Sequence, residues 1–160
     1  MQRKGGFTLI ETMMAMTMIA VALLALMHAV VSSMRLVEAN RQDAVAMNHA
    51  REKIAEIESK DFETIFDLYK NHTWIPEMQT GNSRGRVLLP INGSGNLDET
   101  RSPSQFINMG FPRDINMDGD ATDTNVNLTY RILPIKIVIS WETVQGARSV
   151  EFNTILTNFK

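Results

Sequence analysis

The chain has no cysteine among its 160 residues, so no disulfide can stabilise it. A small domain without disulfides depends on burial, metal binding or assembly for its stability. Charge is nearly balanced, with 16 Lys and Arg against 18 Asp and Glu and a net charge of -2. No excess of positive charge marks a nucleic-acid-binding face, and we expect no nucleic-acid partner.

Signatures of catalysis are also lacking. The sequence contains no nucleophile elbow, no phosphate-binding glycine loop and no Ser/His/Asp arrangement. Its three histidines, His28, His49 and His72, are scattered, and no two of them have the spacing of metal ligands. We therefore expect a protein that is not an enzyme.

Residues 8–60 contain neither glycine nor proline. Apolar residues recur there at steps of three, four or seven, while charged residues occupy the other faces, which predicts one helix from about residue 8 to residue 59. The predicted apolar stripe consists of Val30, Met34, Val37, Ala44, Met47, Ala50, Ile54 and Ile57.

The first part of this helix has the composition of a membrane span. Residues 7–31 are almost all Met, Ala, Leu, Ile and Val, and a helix of this length measures roughly 37 Å, more than the hydrocarbon core of a bilayer. Glu11 is an anomaly within it, because an ionised carboxylate deep in a bilayer costs about 2.5 to 3.5 kcal/mol and needs a partner. Arg3 and Lys4 precede the span, which orients the amino terminus towards the cytoplasm and the remaining chain towards the periplasm or exterior.

The basic leader ending in Gly6, followed by Phe7 and by Glu11, resembles the processing motif of type IV prepilins and pseudopilins. The resemblance implies cleavage between Gly6 and Phe7 by a prepilin peptidase, which removes residues 1–6 and methylates the new amine of Phe7. It also implies that Glu11 pairs with the Phe7 amine of a neighbouring subunit or of its own chain. Two alternatives remain: Glu11 reaches the cytoplasmic membrane surface, or residues 1–31 are an ordinary secretory signal peptide.

Alternation of apolar and polar residues predicts strands over residues 135–142 and 149–156, joined by a turn at residues 144–147. A third strand is predicted at residues 86–91, and residues 128–133 begin the central strand, with Pro134 forcing a bulge or an edge position. A short helix is predicted at residues 62–69 and a loop at residues 92–127. The fold class is α+β, with a long amino-terminal transmembrane helix packed on a small antiparallel sheet, as in type IV pilins.

The loop contains a second motif, beginning at Asp114 and ending at Asn125, which resembles the calcium loop of EF-hands. Oxygen ligands occupy its first, third and fifth places and Gly119 its sixth, whereas Asn125 replaces the usual bidentate Glu. The sequence predicts either a weak calcium site or a solvated Asp-Gly turn. The candidate ligands are Asp114, Asn116, Asp118, Asp120, Asp123 and Asn125.

Together these features predict a structural subunit. Residues 7–31 would form the transmembrane and assembly part of the helix, and residues 32–160 a periplasmic or extracellular domain. The segment Ala46–Ile57 and the strand containing Trp141 resemble minor pilins and pseudopilins of the PilV and GspI type. Such a subunit would span the inner membrane once and then enter a type IV pilus or a type II secretion pseudopilus, or stand at its tip.

Its partners would be other pilin or pseudopilin subunits, the prepilin peptidase and the inner-membrane assembly platform. The alternative from a different class is a membrane-anchored, calcium-binding ligand-recognition module that does not enter a filament.

Overall fold

A computed structural model describes residues 8–78, 82–100, 106–143 and 146–158. Helix α1 comprises Leu9–Glu58 and helix α2 Phe62–Tyr69, both where the sequence predicts them. Four strands follow, β1 (Thr73–Trp74), β2 (Arg84–Leu88), β3 (Ile132–Thr143) and β4 (Gly146–Thr157), with a short 3-10 helix at Ile107–Met109. The predicted α+β class is confirmed, with a long apolar amino-terminal helix and a small antiparallel sheet in a type IV pilin-like arrangement.

The chain divides into two compact units, Met1–Gln42 and Asp43–Lys160. In the described part of the first unit the chain forms only helix, the amino-terminal part of α1. The second unit contains the last four turns of α1, together with α2, the sheet and the long connection between β2 and β3.

The sheet is an antiparallel meander with the order β1-β2-β3-β4. The central strand, β3, pairs with β4 without interruption from Ile132 opposite Thr157 to Thr143 opposite Gly146. Pro134 therefore forms no bulge. It lies beyond the last pair of β2 and β3, Leu88 with Lys136, where β3 has one neighbour, so the alternative prediction of an edge position is confirmed.

The predicted beginning of the central strand at residue 128 is wrong. Leu128 is 99% exposed in a turn, and the strand begins only at Ile132. The reason lies in the backbone, since the N–H groups of Thr129 and Tyr130 donate to the carbonyl of Val126 and close that turn. Strand β2 also differs from its prediction, because it covers Arg84–Leu88 and ends before Pro90.

The core of the second unit lies between α1 and one face of β3. Alternate residues of β3 are fully buried, as the sequence predicts, and they pack in one cluster with residues of α1 at steps of four, four and three. The predicted stripe was partly wrong, since Ala46 is buried where Ala44 was expected. Val30, Met34 and Val37 belong to the first unit, whose apolar surface is exposed in the isolated chain. The buried residues are Leu133, Ile135, Ile137, Ile139 and Trp141 of β3, and Ala46, Ala50, Ile54 and Ile57 of α1.

A polar contact joins α2 to α1 beside this core. The hydroxyl of Tyr69 donates to Oε1 of Glu56 at 2.8 Å, and Lys53 forms an ion pair with the same carboxylate. Burial, and then the bond to Glu56, raises the pKa of Tyr69 to about 12, whereas the bonds from Lys53 and Tyr69 lower the pKa of Glu56. Tyr69 therefore stays a neutral donor over the physiological pH range.

The long connection between β2 and β3 forms part of the packed core, although it has little regular structure. A β-bridge joins Ile91 to Leu97, and several apolar side chains enter the core cluster. Burial of this kind is atypical of a disordered loop. The buried side chains are Leu97, Phe106, Met109, Phe111, Ile115 and Val126.

Gly85 leaves the space that the Trp74 ring occupies. The two residues are paired across β1 and β2, and a Cβ atom on Gly85 would lie 2.3 Å from the Trp74 ring. The ring also contacts Lys53, whose Nζ lies over it at 5.0 Å from the ring centroid. The ring cannot move away without breaking these contacts.

We expect Gly85→Ala to lower the free energy of unfolding by about 1–3 kcal/mol, because it overpacks the Trp74 site. The change is measured by urea unfolding followed through tryptophan fluorescence. Gly93→Ala is the matched control, since a Cβ there has no neighbour within 4 Å. Equal stability of the two variants would contradict the steric role of Gly85.

Candidate functional site: the apolar helix and the aspartate-rich loop

The amino-terminal part of α1 exposes a continuous apolar surface. Its best 18-residue window has a mean hydropathy of 2.3, and none of that window is buried. By length and composition this helix can cross a membrane. Between Glu11 and Arg35 no Asp, Glu, Lys or Arg occurs.

The polar side chains in this segment differ in whether they have a hydrogen-bond or ion-pair partner. The hydroxyls of Thr12 and Thr17 donate to the carbonyls of Leu9 and Met14, both at 2.8 Å, so they add little cost in an apolar medium. Glu11 is exposed in the first turn of α1 and forms no ion pair with any described residue. The helix dipole favours a carboxylate at this end, yet the residue still needs a cationic partner if it is buried.

The predicted cleavage site lies outside the described residues. Gly6 and Phe7 precede the first described residue, Thr8, so the Phe7 amine has no geometry to compare with Glu11. The prediction of their pairing therefore stays a prediction. What the structure adds is the position of Glu11, which lies in the first turn of an unbroken helix.

The aspartate-rich loop folds into consecutive turns around its own side chains. Oδ2 of Asp114 accepts from the N–H of Gly119 at 2.9 Å, and Gly119 has the positive φ of 107° that the sixth place of such a loop requires. The amide of Asn116 donates to Asp118 at 3.0 Å and to Asp123 at 2.9 Å. The loop thus brings Asn116, Asp118 and Asp123 together.

The remaining predicted ligands bond elsewhere. The carboxylate of Asp120 accepts from the N–H and hydroxyl of Thr122, and Oδ1 of Asn125 faces the N–H of Asn127 at 3.4 Å. In the described ranges no three His, Asp or Glu side chains are arranged to hold a metal ion. The calcium site therefore stays a prediction.

Backbone and side-chain donors bond to the Asp118 carboxylate. The N–H of Asp120 and the amide of Asn116 hold the pKa of the Asp118 carboxyl below its usual range. Asp118 is therefore ionised at neutral pH and available to a cation.

Glu99 is a residue of this site that the sequence analysis missed. Its side chain is fully buried, and Oε1 accepts from the N–H groups of Ile115 at 2.6 Å and Asn116 at 3.0 Å. Its own N–H donates to the carbonyl of Asp123 at 2.9 Å. Glu99 therefore connects the two ends of the aspartate-rich loop. Among many acidic loop residues, no sequence pattern distinguished it.

We expect Glu99→Gln to lower the free energy of unfolding by about 1–3 kcal/mol, because the amide replaces one charged acceptor oxygen by a donor facing buried N–H groups. Hydrogen exchange at Ile115 and Asn116 should accelerate before global unfolding. Glu77→Gln, an exposed site whose backbone rather than its carboxylate is bonded, is the control. Unchanged exchange in Glu99→Gln would contradict the role of the carboxylate.

We expect millimolar calcium to raise the melting temperature if the loop binds it, since a ligand of the native state stabilises that state. Asp118→Ala should abolish the rise, and magnesium, which demands a tighter octahedral site, should produce a smaller one. An unchanged melting temperature in calcium would contradict a calcium site and would indicate a turn held by its own hydrogen bonds.

Comparison with known proteins adds one finding to this geometry. Residues 1–27 match the family model of the prokaryotic N-terminal methylation motif. The searches of curated proteins and of solved structures found no match. The matched segment contains the leader, Gly6, Phe7, Glu11 and most of the apolar part of α1. The chain therefore carries, at its amino terminus, the methylation motif of prokaryotic prepilin-like proteins of the type IV pilin family.

Proposed function

We propose that this chain is a minor pilin or minor pseudopilin, a structural subunit that joins a type IV pilus or a type II secretion pseudopilus, in its shaft or at its tip. The observation that carries the proposal is the methylation motif on residues 1–27 continuing into a 50-residue helix. In this proposal a prepilin peptidase cuts after Gly6 and methylates Phe7, and the helix remains as the membrane anchor until assembly.

The apolar surface of α1 supports an assembly role. Large apolar side chains from Leu9 to Val37 are about half exposed or more in the isolated chain. A surface of this size is stable only in lipid or against other apolar helices. In a filament, neighbouring pilin or pseudopilin helices would replace the lipid around this surface. The second unit would remain in water.

Glu11 gives such an assembly its register. In a core of packed apolar helices an unpaired carboxylate is costly, and the Phe7 amine created by cleavage is the cation that can neutralise it. A buried pair of this kind specifies a position more than it adds stability, because desolvation offsets much of the attraction. A subunit lacking the carboxylate would leave a neighbour's amine unpaired.

Two absences favour a minor over a major subunit. Many major pilins have a proline within the apolar helix and a cysteine pair in the carboxyl-terminal region, and this chain has neither. A long helix without a proline has no built-in position for a kink. These features support the minor role.

We expect Glu11→Ala to leave membrane insertion intact and to reduce incorporation into sheared filaments at least tenfold, since the loss of a buried pair partner costs about 3–5 kcal/mol. Immunoblots of the sheared and membrane fractions measure the two populations. Glu38→Ala is the matched control, because it removes an exposed carboxylate of the same helix beyond the apolar segment.

Normal incorporation of Glu11→Ala would contradict the pairing. Absence of the unmodified chain from every sheared fraction, with stable membrane anchoring, would instead favour a ligand-recognition module that never enters a filament. The experiment therefore separates the proposed function from the proposed role of Glu11.

A further inference from the structure

The first charged residues of α1 are spaced to match a bilayer. Glu11 and Arg35 are 24 positions apart with no Asp, Glu, Lys or Arg between them, which corresponds to about 36 Å along the helix axis. The hydrocarbon core measures roughly 30 Å and the bilayer with its headgroups about 40–45 Å. An upright helix can therefore place both charges in headgroup layers at the same time.

Arg35 also lacks a partner in the described part of the chain. It is exposed, and the nearest carboxylate on the helix, Glu38, is engaged by Arg41 at 3.5 Å and by Gln42 at 3.0 Å. A guanidinium at the membrane boundary that has no ion pair within the protein can bind an anion from outside the protein. Its flexible stem lets the charged end reach the headgroups while the methylene groups stay among lipid chains.

Two more polar residues share the face of Arg35. In an α-helix, positions 28, 32 and 35 lie within an arc of about 60°, so His28, Ser32 and Arg35 form one polar stripe. All three side chains are exposed. The planar guanidinium of Arg35 can bind a phosphate through two parallel bonds. His28 lies about 10 Å deeper along the helix axis, among the lipid chains.

We propose that Arg35 binds the phosphate groups of lipids in the leaflet opposite the amino terminus and thereby sets the depth of α1 in the membrane. The inference rests on the proposed membrane-anchored stage of the protein. It has a consequence for Glu11, which is then held near the cytoplasmic headgroups before assembly. The charge of Glu11 is then buried only during assembly, where pairing with the Phe7 amine can offset the free energy of desolvation.

The test uses the full chain reconstituted in phosphatidylcholine vesicles. Because the chain has no cysteine, Val30→Cys provides a single labelling site, on a face of the helix away from Arg35. A nitroxide there reports its depth through collisions with oxygen and with a water-soluble nickel complex. The apolar stretch of residues 12–34 measures about 34 Å, so it exceeds the core by about 4 Å, and we expect Arg35→Gln to let the label sink by about that distance.

Two further variants and a phosphate-free lipid serve as controls. Arg35→Lys should keep the depth, since an ammonium group also binds phosphate, and Arg41→Gln, whose side chain is already paired with Glu38, should not change it. In vesicles of a phosphate-free galactolipid the unmodified chain should take the depth of Arg35→Gln. An unchanged depth in Arg35→Gln, an equal shift in Arg41→Gln, or the same depth in galactolipid would overturn the proposal.

Carbonate extraction of the same vesicles separates this result from the proposed function. A chain that resists extraction but keeps its depth in Arg35→Gln overturns only the phosphate contact. A chain that carbonate removes from the vesicles is not anchored, which overturns the membrane stage and the phosphate contact with it.

Discussion

The second unit depends on the burial of one face of β3 against the end of α1. No disulfide contributes to it, so apolar packing provides most of its stability. Ala46 and Ala50 are small enough to bring the helix close to the sheet, and Ile54 and Ile57 fill the space that follows. Two polar contacts lie at the edge of this interface. Asp43 forms an ion pair with Arg148 at 3.0 Å, and Tyr69 donates a hydrogen bond to Glu56. The same helix therefore exposes an apolar surface along its first part and packs against its own sheet with its last.

Much of this arrangement could be predicted from residue periodicity. The absence of glycine and proline predicted the extent of α1, because these residues interrupt helices. The alternation around Ile137 predicted the strands, because it distinguishes the buried face of a strand from the exposed one. The buried stripe was misplaced by two residues at Ala44, since alanine is compatible with either environment and only tertiary packing decides. Leu128 shows the opposite case: its apolar side chain predicts a strand, whereas the hydrogen bonds of its neighbours close a turn.

The candidate site was predictable only in part. The motif around Gly6 and Glu11 is a short, position-specific pattern, and sequence alone identifies it. The spacing of Asp114, Asn116 and Asp118 predicted either a calcium site or an Asp-Gly turn. The structure shows a loop bonded by its own side chains, and calcium binding stays a prediction. The bonds that satisfy this loop could not be predicted, because Glu99 lies fifteen residues before Asp114 and acts through contacts that only the folded chain creates. Buried polar residues of this kind have no periodic signature.

Strand β4 has a consequence for handling the protein. It is twelve residues long and ends the sheet, and in the described part of the chain no strand pairs with its outer side. It contains neither proline nor lysine, and its pairing with β3 has no bulge. Arg148 and Glu151 are its charged residues, and charge of this kind is what opposes the addition of a further strand. A soluble fragment prepared without its natural neighbours would present a long template for intermolecular β-sheet, and its colloidal behaviour should therefore depend steeply on concentration.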